Sequence, residues 1–214
     1  MTPLVGVGQY VAVPGEIVPL EPEINLPEPG TFRNGDFSAG LDGWEVGHLS
    51  GVSDQWDATL LQSEGQYQNV LDIWRGDSGS DGGKVWALQW MNWDVSQSNR
   101  VQITANVRVL EHTLEGSGWW SDENRREGEY PACISIDYFD AQGIPYRWTW
   151  GFLTHPNPNQ LENYDLLPPE GWYYFTSHNI LEVSPRPNVI FRVTLAGAGW
   201  DFHSQFNSVQ LVVK

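Results

Sequence analysis

The stretch Val101-Gln102-Ile103-Thr104-Ala105-Asn106-Val107-Arg108-Val109 decides the fold. Its apolar residues occupy every second position and its polar residues the positions between. That period of two belongs to a strand with one face on a core and the other turned away. Residues 188–195 repeat the pattern, with Val189, Phe191, Val193 and Leu195 as the expected inner row. Between these runs the chain is cut by Gly, Asp, Asn and Pro clusters, and strands are expected near 32–37, 43–47, 68–75, 84–91, 100–110, 132–139, 145–153, 171–181, 188–196 and 206–213. Ten short strands without a convincing helical period predict an all-β protein, a two-sheet antiparallel β-sandwich.

One hairpin can be registered from its turn. Asp140-Ala141-Gln142-Gly143 suits a type I turn closed by a left-handed glycine, which sets Tyr138 opposite Tyr146, Ile136 opposite Trp148, Ile134 opposite Trp150 and Ala132 opposite Phe152. Asp137 then faces Arg147. One face is wholly apolar, so Trp148 and Trp150 are assigned to the core; a slip of one residue would mix both faces.

With 27 acidic against 11 basic residues, the 214-residue chain carries a formal charge of −16. That charge repels phosphate backbones, so nucleic acid is not an expected partner. No run is long and apolar enough for membrane insertion. The twelve tryptophans serve either as core fillers or as flat platforms for a ligand. Residues 1–31 hold six prolines, four glutamates and no basic residue, and read as an extended acidic Pro-rich N-terminal arm preceding a sandwich over 32–214. An arm of this kind gains order only when pinned against its own domain or a neighbour, and is a route to a homo- or hetero-oligomer. Met1 to Gly15 lacks a positively charged start and does not read as a signal peptide. The compartment stays open, with an extracellular, cell-surface or virion setting expected.

Asn34-Gly35-Asp36-Phe37-Ser38-Ala39-Gly40-Leu41-Asp42-Gly43-Trp44 resembles the opening signature of jelly-roll carbohydrate-binding modules of the galactose-binding-like type. Gly82-Gly83-Lys84, the strand over 100–110, Gly171-Trp172 and the closing Phe206-Asn207-Ser208-Val209-Gln210-Leu211 follow in the family's order, so the resemblance spans residues 32–214. It implies a jelly roll that binds carbohydrate without catalysis. Members often hold a structural calcium through an acid just after the opening Phe and an aspartate near the start of the last strand. Here those positions are Ser38 and Asn207, which removes two hard anionic ligands, and no cofactor is expected.

Two constellations carry the functional expectation. Trp119 and Trp120 lie in a polar loop over 111–131, where they are either a stacking platform for a sugar or anchors folding the loop over a sheet end. The polar row Gln102, Thr104, Asn106 and Arg108, extended by Asp137 and Arg147, either supplies hydrogen bonds to sugar hydroxyls or is a solvated face. The candidate ligand-binding residues are therefore Trp119, Trp120, Asn106, Arg108, Asp137 and Arg147. No metal site is expected, since the five histidines and Cys133 never fall at short ligand spacing. Nor is catalysis: the sequence has no G-x-S-x-G elbow, no P-loop, no dinucleotide fingerprint and no sequence-adjacent strand pattern such as Glu-x-Asp-x-Glu, which leaves open only carboxylates brought together from distant strands. The leading expectation is a non-catalytic module for a neutral glycan. The rival is a structural or interaction protein of an assembly, such as a virion decoration or tail component or a cell-surface subunit, with the arm as tether.

Overall fold

The computed structural model describes residues 16–19, 26–50, 55–76, 82–113, 118–119, 128–156 and 163–214, and of residues 16–19, 50, 118–119 and 128 the backbone alone. Among the described residues fourteen strands form: β1 Glu16–Pro19, β2 Glu45–Ser50, β3 Gln55–Glu64, β4 Tyr67–Gly76, β5 Gly83–Asp94, β6 Val101–His112, β7 Gly118–Trp119, β8 Gly128–Glu129, β9 Ala132–Phe139, β10 Pro145–Leu153, β11 Tyr164–Leu166, β12 Tyr173–Thr176, β13 Val189–Gly199 and β14 Phe202–Val213. One of the two packed sheets runs β1-β10-β9-β13-β5-β2 with β11 beside β10 and the other runs β12-β6-β14-β4-β3; β7 and β8 pair in a small separate sheet. Apart from the parallel β10-β11 contact the pairings are antiparallel. The protein is thus an all-β, two-sheet antiparallel sandwich of the jelly-roll type.

The core lies between the two sheets, and the alternation in β6 puts it there. Val101, Ile103, Ala105, Val107 and Val109 are all fully buried against the facing sheet. Each valine or isoleucine so buried contributes roughly 1.5–3 kcal/mol relative to exposure. The β9-β10 hairpin supplies the opposite wall in the expected register, with Tyr138 opposite Tyr146, Ile136 opposite Trp148 and Ile134 opposite Trp150. Its turn has the expected chemistry. Gly143 is left-handed at φ 78°, and the Asp140 carboxylate accepts the amides of Gln142 and Ile144 at 2.9 and 2.8 Å.

The inner row of β13 differs from expectation. A bulge between Ile190 and Arg192 shifts the register against both neighbouring strands. Ile190, Val193 and Leu195 enter the core, while Phe191 packs on the other face with Phe139, ring centroids 4.6 Å apart. One extra residue on the bulged strand reverses parity before it, which places Val189 and Phe191 opposite to the simple alternation.

Residues 32–37 form turns instead of a strand. Asn34 donates its side-chain amide to the carbonyls of Gly40 and Asp42, both at 2.9 Å, and accepts from the Ala39 amide at 3.1 Å. These local bonds compete with a sheet ladder and close the 34–44 loop around Phe37 and Trp44, both buried. Asn34 thereby satisfies the carbonyls at the centre of the loop. Two further departures occur at the edges. β3 was not expected, because Gln, Ser and Glu and the adjacent Leu60-Leu61 blur its alternation, yet Trp56, Ala58 and Leu60 face the core. The expected strand over 171–181 is shortened to β12 and followed by a 3-10 helix, Ile180–Glu182, capped by Asn179.

Part of the proline-rich segment joins the sandwich. Glu16–Pro19 pair with Thr149 to Tyr146 of the chain's own β10. Further on, Gly30 and Asn92 exchange two backbone hydrogen bonds, and Asn92 Nδ2 donates to the Pro27 carbonyl at 3.2 Å. Four-residue β1 and three-residue β11 divide the β10 edge, a short cover that blunts it against pairing with other chains.

Candidate functional site

The outer face of the five-stranded sheet carries a fixed polar network. Parity places Asn106 and Arg108 of β6, His203, Gln205 and Asn207 of β14, and Asp72 and Trp74 of β4 on the side away from the core. The Asp72 carboxylate accepts from Gln205 Nε2 at 2.8 Å and sits 2.8 Å from His203 Nε2. Arg108 donates to Glu64 Oε1 at 2.9 Å, to Gln205 Oε1 at 3.3 Å and, through Nε, to the Glu170 carbonyl at 2.7 Å. Arg108 thus ties the β3-β4 hairpin and the 168–172 loop to the sheet. Tyr67 and Trp172 meet above it with centroids 4.5 Å apart.

Beside this network a groove of about 390 Å³ opens at the end of the sheet. Trp74, half-buried, forms one side; Asp72, His203, Glu111 and Asp201 supply the polar groups. The arrangement offers an aromatic face next to carboxylates and an imidazole, held by bonds that need no rearrangement. Its volume lies in the range of small-ligand clefts, about 300–1,000 Å³. These groove residues were missed in the sequence reading. The available signal was parity: Trp74 shares its face with Asp72, and His203 shares its face with Gln205 and Asn207.

The back of the groove is Arg75, buried between the sheets, whose Nη1 donates to the carbonyls of Gly199 and Trp200 at 2.9 and 2.7 Å. Glu129 of β8 is buried as well. Desolvation pushes its carboxyl up to about 7 from an ordinary 4.5, against the attraction of Arg75. Between those values the folded protein keeps a proton that the unfolded chain has lost, so the contribution of this group falls as pH rises and is fully present below 4.5. Urea unfolding at pH 5 and pH 8 should therefore show a stability loss that Glu129→Gln reduces by about 1–2 kcal/mol, the shift being damped by solvent screening.

The candidate residues from the sequence are divided. Asn106 and Arg108 lie on the polar face just described, Arg108 as a framework residue with its bonds already committed. Asp137 and Arg147 do not extend that row. They belong to the outer face of the other sheet, so the core separates them from Asn106 and Arg108. Pairing of β9 with β10 set Asp137 opposite Arg147 as expected, but strand pairing alone did not reveal which sheet they join. Asp137 is fully buried there; Arg147 donates to both its oxygens at 2.6 and 3.1 Å, and Arg192 of β13 also binds it. Arg192 lies over the Trp90 ring at 4.7 Å.

Trp120 and the side chain of Trp119 lie outside the described residues. The backbone of Trp119 pairs with Gly128 in the small β7-β8 sheet. The chain enters this loop from His112 and Thr113, next to the groove residue Glu111, and returns through Glu129 and Tyr130. Tyr130 is buried flat on Gly151, where a Cβ would fall 2.1 Å from its ring. Among the described residues no group of three or more His, Cys, Asp or Glu could hold a metal ion, and no helix is long and apolar enough to cross a membrane.

The fold and this face define a β-sandwich with a polar, aromatic-edged groove at the end of its five-stranded sheet. No family model and no curated protein matches the chain. Solved structures align with the chain at low identity. A structure concerning carbohydrate-binding modules from the β-sandwich superfamily aligns at 8% identity and TM-score 0.49 over 86% of this chain and 63% of that one. The family 11 carbohydrate-binding module of a cellulosomal cellulase of Clostridium thermocellum aligns at 11% and 0.47, over 88% and 97%. The enzymatically active domain of a bacteriophage CBA120 tailspike protein aligns at 8% and 0.45, over 86% and 21%, so the chain spans about a fifth of its length.

Proposed function

We propose that the protein is a non-catalytic module that binds a neutral glycan in the groove beside Trp74. The observation that carries this reading is the placement of one indole next to Asp72, His203, Glu111 and Asp201 at the end of a pre-organised polar sheet face. Sugar rings have an apolar C–H face that stacks on indole and hydroxyls that donate to carboxylates. Three carboxylates around one groove disfavour acidic sugars, as does the net charge of −16. Trp119 and Trp120, carried by the loop that leaves the sheet beside Glu111, are proposed as a second aromatic contact.

The alternative, an assembly subunit tethered by residues 1–31, has weaker support. Glu16–Pro19 direct their backbone pairing to β10 of the same chain. A glycan array of neutral and acidic oligosaccharides, probed with the intact protein and with Trp74→Ala, tests the proposal. Binding to neutral glycans should weaken at least about tenfold in the variant, the loss of some 1.4 kcal/mol of stacking. Binding confined to acidic glycans, or unchanged in Trp74→Ala, would contradict it.

A further inference from the structure

The groove does not end at Glu111. A second cavity of about 230 Å³ begins at the same residue and runs past His112, Thr154, His155, Pro169 and Glu170. Glu111 lines both cavities, which therefore adjoin at the end of β6, the second reaching Thr154 and His155 just beyond β10.

Three side chains converge in the second cavity. The Thr154 hydroxyl lies 2.7 Å from His112 Nε2 and 2.9 Å from His155 Nδ1, and the two ring nitrogens are 3.4 Å apart. A hydroxyl and a neutral imidazole each combine donor and acceptor capacity, so the cluster matches the mixed demand of adjacent sugar hydroxyls. Glu170 and Glu111, both exposed, add acceptors; Pro169, also exposed, adds an apolar edge. Beside Glu170 the second cavity meets the Arg108 bridge, where Arg108 holds the Glu170 carbonyl and the Glu64 carboxylate.

Resting on the glycan-binding reading above, we infer that this second cavity is a separate sugar subsite. The module then takes at least two linked sugar units, laid across the strand ends with Glu111 at their junction. His155 serves to distinguish the two positions, because it lines the second cavity and not the first and its side chain is exposed.

Titration calorimetry with neutral gluco-, galacto-, manno- and xylo-oligosaccharides of one to three units tests the inference on the intact protein, Trp74→Ala and His155→Ala. His155 is exposed, so its variant is expected to fold; near-ultraviolet circular dichroism verifies this. In one series the disaccharide should bind at least about tenfold more tightly than the monosaccharide. His155→Ala should abolish that gain and leave monosaccharide binding unchanged, whereas Trp74→Ala should weaken both. A gain retained in His155→Ala, or a monosaccharide that binds as tightly as the disaccharide, overturns the second subsite alone. Silence of the intact protein in every series overturns it together with the functional reading.

Discussion

Trp148→Ala is expected to destabilise the protein by about 3–5 kcal/mol, the range for removing a large aromatic side chain from a packed core. Trp148 is 1% exposed and stacks beside Trp150 with centroids 6.3 Å apart. Its strand position faces Ile136 on one side and Ile17 on the other, so the cavity is walled by backbone that is paired on both edges. Little collapse is available to fill it. Tyr174→Ala on the outer face of β12 provides the contrast: Tyr174 is 64% exposed, and its loss should shift stability by less than about 0.5 kcal/mol. Urea unfolding of the two variants, with equal slopes, measures both effects.

Asp137→Ala should cost a similar 3–5 kcal/mol, for a different reason. Both oxygens of this buried carboxylate bind Arg147, and one binds Arg192 as well; removing it leaves guanidinium groups in a poorly solvated position without their anion. Lys84 on the same face is pushed down to about 8, first by burial and then by the charge of Arg147. The cost therefore lies in the charges left behind. Replacing Asp137 and Arg192 together should cost less than the sum of the two single changes, and a double-mutant cycle measures that difference.

These two residues also show what was legible in the sequence. Trp148 could be placed in the core because the turn at Asp140-Gly143 fixes register within one hairpin, where every relevant residue is near in the chain. The same hairpin paired Asp137 with Arg147 correctly. The sheet they would join was not legible, because it depends on β13 and β5 packing beside β9, contacts between residues far apart in sequence. The bulge at Ile190 and Arg192 escaped for a related reason: alternation continues smoothly in the sequence, and only the neighbouring strands impose the extra residue. Trp74 and His203 carried the right parity, but their convergence required β4 and β14 to be adjacent. Asn34 lies inside the expected first strand, and the loop its side chain closes replaces that strand.

The central claim, that a glycan lies in the groove on the outer face of the five-stranded sheet, is tested most directly by the tryptophan indole resonances of ¹⁵N-labelled protein. They are to be assigned by single Trp→Phe variants and followed during titration with the strongest neutral glycan from the array. The indole of Trp74 should shift with saturation behaviour while those of Trp86 and Trp90, on the outer face of the opposite sheet, stay in place. Saturable shifts confined to Trp86 and Trp90, with Trp74 unmoved, would contradict the account.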